Sequence, residues 1–460
     1  MIQLPPALLD EVYERLTAGV APSDPELARE VADRVVRYLR DTAERTVTRE
    51  ADGTVFVITG DIPAMWLRDS AAQLAPLLRL VAAGVGSETD RAVLVELLAA
   101  LLRRHWFHIA DDPYANAFNR VPEGACWDED ATERDNPWAW ERKFELDSLS
   151  YGPDLAWRLW RATGDVSWAD ENFVPAARAI LATVRTEQDH EQRSAYRFER
   201  EDCPASDTLV RSGRGGLTAP TGLVWAGFRP SDDACELGFN VPGNHFLALA
   251  LDRLGDLLEA VAGEAELASE ARERAAEIRA GLEEHGTMPA PTGGRAVGAD
   301  GGGADGADGD DSAGSRVWAY EVDGRGGALF MDDANVPSLL ALPYLGCVDA
   351  DSPRYRATRA AVLSDANPYW YRGTALAGVG SPHTPPHHVW PIALAIEGLT
   401  SGDTGRMREI LAMLIATDGG TGMMHEGVDV EDPARFTRDW FSWANEMFVE
   451  LALACAGVER

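Results

Sequence analysis

The 460-residue chain carries 42 Lys+Arg against 75 Asp+Glu, a formal net charge of −33, with 45% hydrophobic residues, 43 Gly and 26 Pro. Such a balance excludes a disordered or fibrous chain, and so much negative charge excludes binding along a nucleic-acid backbone, which needs Lys and Arg to displace counterions. No stretch approaches the ~20 uninterrupted apolar residues of a membrane helix, and the start, Met1-Ile2-Gln3-Leu4-Pro5-Pro6, lacks the basic region and apolar run of a signal peptide, so the expectation is a soluble cytoplasmic protein with no membrane partner.

Helical periodicity dominates from the start. Apolar residues recur at i, i+3, i+4, i+7 over 8–16, 27–38, 70–85, 90–108, 146–162 and 173–188. The same pattern predicts helices over 244–261, 266–284, 336–345, 355–363, 389–398, 406–415 and 439–456. Only two short β-branched runs, 54–58 and 316–320, look like hairpin pieces. Between the helices lie long connections rich in Gly, Pro, Trp, Asp and Asn, the kind of segment in which function concentrates.

One stretch, about 289–315, is low in complexity, with Gly293-Gly294 and the run Ala304-Asp305-Gly306-Ala307-Asp308-Gly309-Asp310-Asp311. It lacks the D-x-D-x-D-G frame and closing Glu of a calcium loop. It reads as a flexible surface insertion within a single catalytic domain spanning 1–460, because the helical pattern on both sides belongs to one array. Paired helices without a fixed period of 34 to 45 residues predict an all-α toroid rather than a solenoid.

The loops carry the chemistry. Thr59 to Ser70 brings Asp61, Trp66, Arg68 and Asp69 together at the start of an apolar helix, and helix capping accounts for one of them at most. The same density recurs with Asn116 and Asn119, with Glu141, Lys143 and Asp147, and with Arg229, Ser231, Asp232 and Asp233. Later loops add Asn335, His383, His425 and Glu426, followed by Trp443. Sugar hydroxyls need fixed donors and acceptors, and the apolar face of a pyranose needs a flat aromatic surface, for which 14 Trp are available.

The runs GDIPAMWLRDSAAQ, YANAFN, WERKFELDSLSY, GFRPSDDA, LFMDDANVPSLLALPYLG, GSPHTP, VWPIALAIEGLTS, MHEGVDVEDP and FTRDWFSWANEMF together resemble glycoside hydrolase family 125. The resemblance extends from about Thr59 to Phe448 and departs from the family at the Gly/Asp-rich insertion and at an acidic stretch around residues 127–135. It implies an (α/α)6 barrel and a metal-independent exo-acting α-1,6-mannosidase without a cofactor, its partner an α-mannoside or oligosaccharide. It further implies inversion by one carboxylic acid and one carboxylate. The acid falls in RPSDDA, as Asp232 or Asp233 with a slight preference for Asp232, and the base in MHE, as Glu426. The substrate-binding set it implies is Asp61, Trp66, Arg68, Asp69, Asn116, Asn119, Glu141, Lys143, Asp147, Arg229, Ser231, Asn335, His383, His425 and Trp443. Two alternatives compete: another toroidal carbohydrate enzyme, such as a calcium-dependent mannosidase or a phosphorylase, and a glycan-binding protein without activity. The latter calls for loss of a catalytic carboxylate, and both motifs are intact.

Lys143 is the only lysine in the chain, which points to a site where Arg cannot replace a compact point charge. High-GC codon bias explains Arg for Lys but not the acidic surplus, which reads as adaptation to high internal salt. The five widely spaced cysteines, without a C-x-x-C, argue against a zinc site and a disulfide framework. The tract His383 to His388 has prolines where metal-binding helical spacing would be needed, so His383 reads as a hydroxyl ligand.

Overall fold

Two sequence patterns of helix divide the architecture. In Pro25–Asp41 the buried residues are Ala28, Val31, Ala32, Val35, Tyr38 and Leu39, the stripe of a helix with one face in water. In Ser442–Cys455 nearly every residue is buried, and in Val241–Leu257 most are, which demands neighbours on more than one side. The computed structural model, which describes residues 2–291 and 316–459, supplies them. Pro391–Leu399, Ser442–Cys455, Leu67–Ala82, Leu146–Thr163 and Val241–Leu257 touch one another in that order, with the single turn Leu342–Leu345 beside the last. Around this inner ring lie Pro25–Asp41, Glu88–Asp111, Phe173–Glu187, Ala265–His285 and Thr404–Ala416, packed on the inner helices or on one another.

The core is continuous from Ile2 to Val458. Some buried polar groups pair across helices: Arg79 grips Glu450 through Nε and Nη2 at 3.2 and 2.9 Å. Thr42 Oγ1 donates to Glu446 Oε1 at 2.6 Å. Local signals set the helix starts. Ser87 and Asp90 form a reciprocal capping box, and Asn240 accepts from Gly243 N at 2.8 Å ahead of Pro242.

Short antiparallel sheets sit at the N-terminal ends of the inner helices. Met65–Trp66 pairs with Ala117–Phe118, which pairs with Ala139–Glu141. Phe239–Asn240 pairs with Glu321–Val322, and His388–Val389 with Gly427–Asp429. Each first strand runs directly into an inner helix, so the loops following the other strands converge at one end of the ring.

The structure departs from the sequence pattern in two respects. The helix expected over 336–345 is only Leu342–Leu345, because both carboxylate oxygens of buried Asp332 take the backbone N–H groups of Leu339 and Leu340 (2.8 and 2.9 Å) that a longer helix would use. Strands are also more numerous than the two expected, most being two or three residues long, too short to show alternation. The expected runs appear as Val55–Val57 against Val47–Arg49 and Arg316–Trp318 against Thr287–Pro289. Residues 292–315 of the Gly/Asp-rich segment lie outside the described residues.

Candidate active site

At this loop-bearing end opens a cavity of about 410 Å³, lined among others by Asp61, Trp66, Arg68, Asp69, Glu141, Lys143, Asp232, Asp233, His383 and Glu426. Its floor is the first turn of Leu67–Ala82, where Arg68 and Asp69 are buried. Arg68 Nη1 donates to Glu145 Oε2 and, at 3.1 Å, to Asp147 Oδ2. Its Nη2 donates to Asp232 Oδ1 at 3.1 Å, and its Nε lies 3.4 Å from Asp69 Oδ2. One guanidinium therefore faces four carboxyls. They cannot all ionise at low cost, since buried like charges disfavour one another. Burial, with Asp232 nearby, pushes Asp69 up to about 6 despite Arg68. Burial pushes Glu145 well above its ordinary value, with Asp232 and Asp147 adding to the effect against Arg68.

The adjacent acids Asp232 and Asp233 are splayed by a turn. Asp232 N donates to Arg229 O at 2.9 Å, and Arg229 N to Asp233 O at 2.7 Å. Asp232 stands at φ 67°, a left-handed conformation that costs an Asp about 1–2 kcal/mol. Buried Glu321 fixes the turn by accepting from Arg229 Nε, from Glu236 N at 2.8 Å and from Leu237 N at 3.0 Å. Asn335 Nδ2 also donates to Pro230 O at 2.7 Å. The consequence is that the Asp232 carboxyl is 21% exposed, into the cavity, whereas Asp233 is 4% exposed and bonds His383 Nδ1 at 3.2 Å. Burial opposes ionisation of Asp232, but Arg68, a hydrogen bond with Glu145 and Lys143 together outweigh it and hold Asp232 below the ordinary carboxylate range. Protonation is thereby favoured at Glu145 and disfavoured at Asp232. Burial likewise opposes charge on His383, yet Asp233, Glu426 and Asp232 raise it to about 9, so it is an imidazolium at neutral pH.

Glu426 comes from a separate sheet. It precedes the strand Gly427–Asp429, and its N–H donates to Thr437 O at 3.2 Å. Arg438, at φ 54°, places Nη1 3.7 Å from Glu426 Oε1. It donates from Nη2 to Thr59 Oγ1 at 3.0 Å and from Nε and Nη2 to Asp61 Oδ1. On another wall Lys143 Nζ donates to Asp207 and lies 3.5 Å from Glu141 Oε1. Arg200 joins the same Asp207 and Glu141 at 2.7 and 2.9 Å.

A family model described as metal-independent alpha-mannosidase (GH125) matches residues 24–453 of the chain. The chain belongs to this family. A relative, the meiotically up-regulated gene 157 protein of Schizosaccharomyces pombe, is 35% identical over 97% of this chain and 84% of its own. A solved Streptococcus pneumoniae metal-independent alpha-mannosidase, a non-productive substrate complex with alpha-1,6-mannobiose, is 41% identical and superposes with a TM-score of 0.86. It covers 98% of this chain and 97% of that one. A bacterial glucoamylase complexed with acarbose shares the fold alone, with a TM-score of 0.56 at 11% identity over 97% of this chain and 57% of that one. The protein is thus a glycoside hydrolase of the alpha-mannosidase GH125 family, on a helical toroid.

Within this mannosidase, the expected residues Asp61, Trp66, Arg68, Asp69, Glu141, Lys143, Ser231, Asp232, Asp233, Asn335, His383 and Glu426 all line the cavity. Six others of the implied substrate-binding set are not among the lining residues and are engaged by the protein itself. Asn119 spends its amide on the carbonyls of Ala125, Pro137 and Ala139. Arg229 is taken up by Glu321. His425 stacks on Phe436 at 3.6 Å and bonds Arg438 O, behind Glu426. Trp443 lies beneath Arg68, 5.9 Å from its guanidinium. Asn116 bridges Glu141, Glu145 and Asp232 from behind, and Asp147 pairs with Arg68. These six shape or support the wall.

Sequence reasoning passed over Glu145, Arg438, Arg200 and Asp207. Glu145 and Arg438 stand inside WERKFELD and FTRDWF, between candidate residues, and the role of Arg438 emerges only from its contacts with Glu426, Thr59 and Asp61. Arg200 and Asp207 come from a charged stretch that lies outside the runs carrying the family resemblance. Among the described residues no cluster of three or more His, Cys, Asp or Glu has the arrangement of a metal site.

Proposed function

We propose that the protein removes terminal α-1,6-linked mannose from the non-reducing end of an oligosaccharide, with inversion, in a pocket at one end of an (α/α)6 toroid. The observation that carries the reading is a pair of carboxyls brought to one cavity from different parts of the fold: Asp232 on its left-handed turn and Glu426 beside Arg438. Supporting it are membership in the family and the likeness to a mannosidase solved with alpha-1,6-mannobiose.

In this reading Asp232 protonates the glycosidic oxygen, and Glu426 takes a proton from the water that attacks the anomeric carbon from the opposite face. The C–O bond breaks, the leaving sugar departs as a neutral hydroxyl, and β-mannose forms. Protonation is favoured at Glu145 and disfavoured at its neighbour Asp232, so Glu145 is assigned the supply of the proton that Asp232 delivers. Transfer from Glu145 to Asp232 accompanies transfer from Asp232 to the glycosidic oxygen, and the proton taken by Glu426 returns through solvent. Asp233 and imidazolium His383 form a fixed ion pair beside the reacting centre and orient the sugar through hydroxyl contacts. The cytoplasm is the proposed compartment.

The test is release of mannose from α-1,2-, α-1,3-, α-1,4- and α-1,6-mannobiose, with and without chelator and phosphate. Turnover confined to the α-1,6 isomer and indifferent to both additions is expected. Loss with chelator would favour a calcium-dependent enzyme, and dependence on phosphate would favour a phosphorylase.

A further inference from the structure

The cavity has one wall unlike the others. Its aromatic residues Trp66, Trp390 and Phe441 are buried, but Trp127, which lines the same cavity, is 64% exposed, the most exposed of the large hydrophobic residues among those described. An indole left in water costs free energy that a bound apolar surface recovers.

The segment bearing Trp127 is fastened at several points. Asp130 takes a bidentate pair of hydrogen bonds from Arg200 at 2.6 and 2.9 Å. Ala131–Thr132 pairs antiparallel with Phe198–Glu199. Glu133 accepts from Arg142 at 2.7 Å and from Arg197 N at 2.9 Å. On the other side of Trp127, Ala125 O accepts from Asn119 Nδ2 at 2.8 Å. Arg200, which holds the segment, also holds Asp207 and Glu141 of the cavity wall. The ring is thus presented by fixed backbone, with polar groups of the cavity beside it. Pre-organisation of this kind is what a binding platform needs, because little is lost in ordering it.

An exo-acting pocket takes the terminal sugar at its closed end and leaves the departing sugar at its mouth. The buried aromatics mark the closed end and the exposed one the mouth. We infer that Trp127 is the platform on which the leaving-group sugar stacks, and that it sets the preference for a saccharide over a small leaving group. The inference rests on the mannosidase reading above and deepens it.

The experiment compares two substrates on wild-type enzyme, W127A and W127F. α-1,6-Mannobiose has a leaving-group sugar; α-mannosyl fluoride has none. In W127A we expect kcat/KM on mannobiose to fall roughly tenfold, the scale of uncovering one aromatic face, with the fluoride rate unchanged and W127F recovering much of the loss. Indole emission of the wild type should shift to the blue with mannobiose and not with mannose, and W127F should lose that shift. Equal loss on both substrates, or no loss on mannobiose, would overturn the platform. Wild-type inertness toward both substrates would instead overturn the mannosidase reading itself.

Discussion

Arg68→Met isolates the electrostatic frame of the site. The substitution keeps most of the buried stem and removes the single cation that Glu145, Asp147, Asp232 and Asp69 share at contacts of 3.4 Å or less. At an effective dielectric of about 20, one such contact amounts to roughly 5 kcal/mol before desolvation and carboxyl–carboxyl repulsion are set against it. The net loss from breaking a buried pair by deleting one partner is about 3–5 kcal/mol. Asp69, Glu145 and Asp147 are already raised by burial against Arg68, and without it they bind protons still more tightly than in the unfolded chain. The mutant's native state therefore binds more protons than its unfolded state between about pH 4 and 8, and its stability falls as pH rises. Urea denaturation of wild type and R68M at pH 5 and pH 8 should show a deficit of several kcal/mol at pH 8, clearly smaller at pH 5. A deficit independent of pH, or below about 1 kcal/mol at both, would refute the claim that Arg68 holds these carboxyls.

Three further outcomes follow from named groups. Asp232→Asn should abolish turnover of α-1,6-mannobiose, by about 10²–10⁴, yet spare α-mannosyl fluoride, whose leaving group needs no proton; the same pattern in Asp233→Asn alone would exchange their roles. Buried Glu446, bonded by Thr42 and raised to about 8 by burial, has a folded-state affinity for its proton above that of the unfolded chain, so it lowers stability as pH rises from about 4.5 to 8, by up to about 1.4 kcal/mol per pH unit. Glu446→Gln should then raise the melting temperature at pH 8 relative to wild type and not at pH 4, and a rise of equal size at both would contradict this. If the net charge of −33 reflects salt adaptation, melting temperature should climb from low to molar KCl; a flat response removes that account.

The helical array is legible because burial is written at helical spacing, as in Val31, Val35 and Leu39 of the outer ring and in the predominantly apolar Ser442–Cys455 inside it. The short strands are not, since two residues such as Met65-Trp66 pair through backbone contacts that no side-chain pattern announces. In the site, density of polar and aromatic residues found the loops but could not assign direction. Arg229 and Asp232 stand three residues apart in one turn, yet one points to Glu321 and the other into the cavity. That outcome depends on a left-handed Asp232, which sequence does not display. Glu145 was overlooked for the opposite reason: a buried carboxyl next to Leu146 looks like a helix start until Arg68, distant in the chain, closes on it.

The central claim is that Glu426 activates water on the face opposite the leaving group. Proton NMR of wild-type enzyme acting on an α-mannoside, recorded before mutarotation, tests it directly, with Glu426→Gln run alongside. β-Mannose should be the first product, with no measurable turnover in the variant even on α-mannosyl fluoride, because water activation does not depend on the leaving group. Initial α-mannose, or a variant close to wild-type rate, would contradict it.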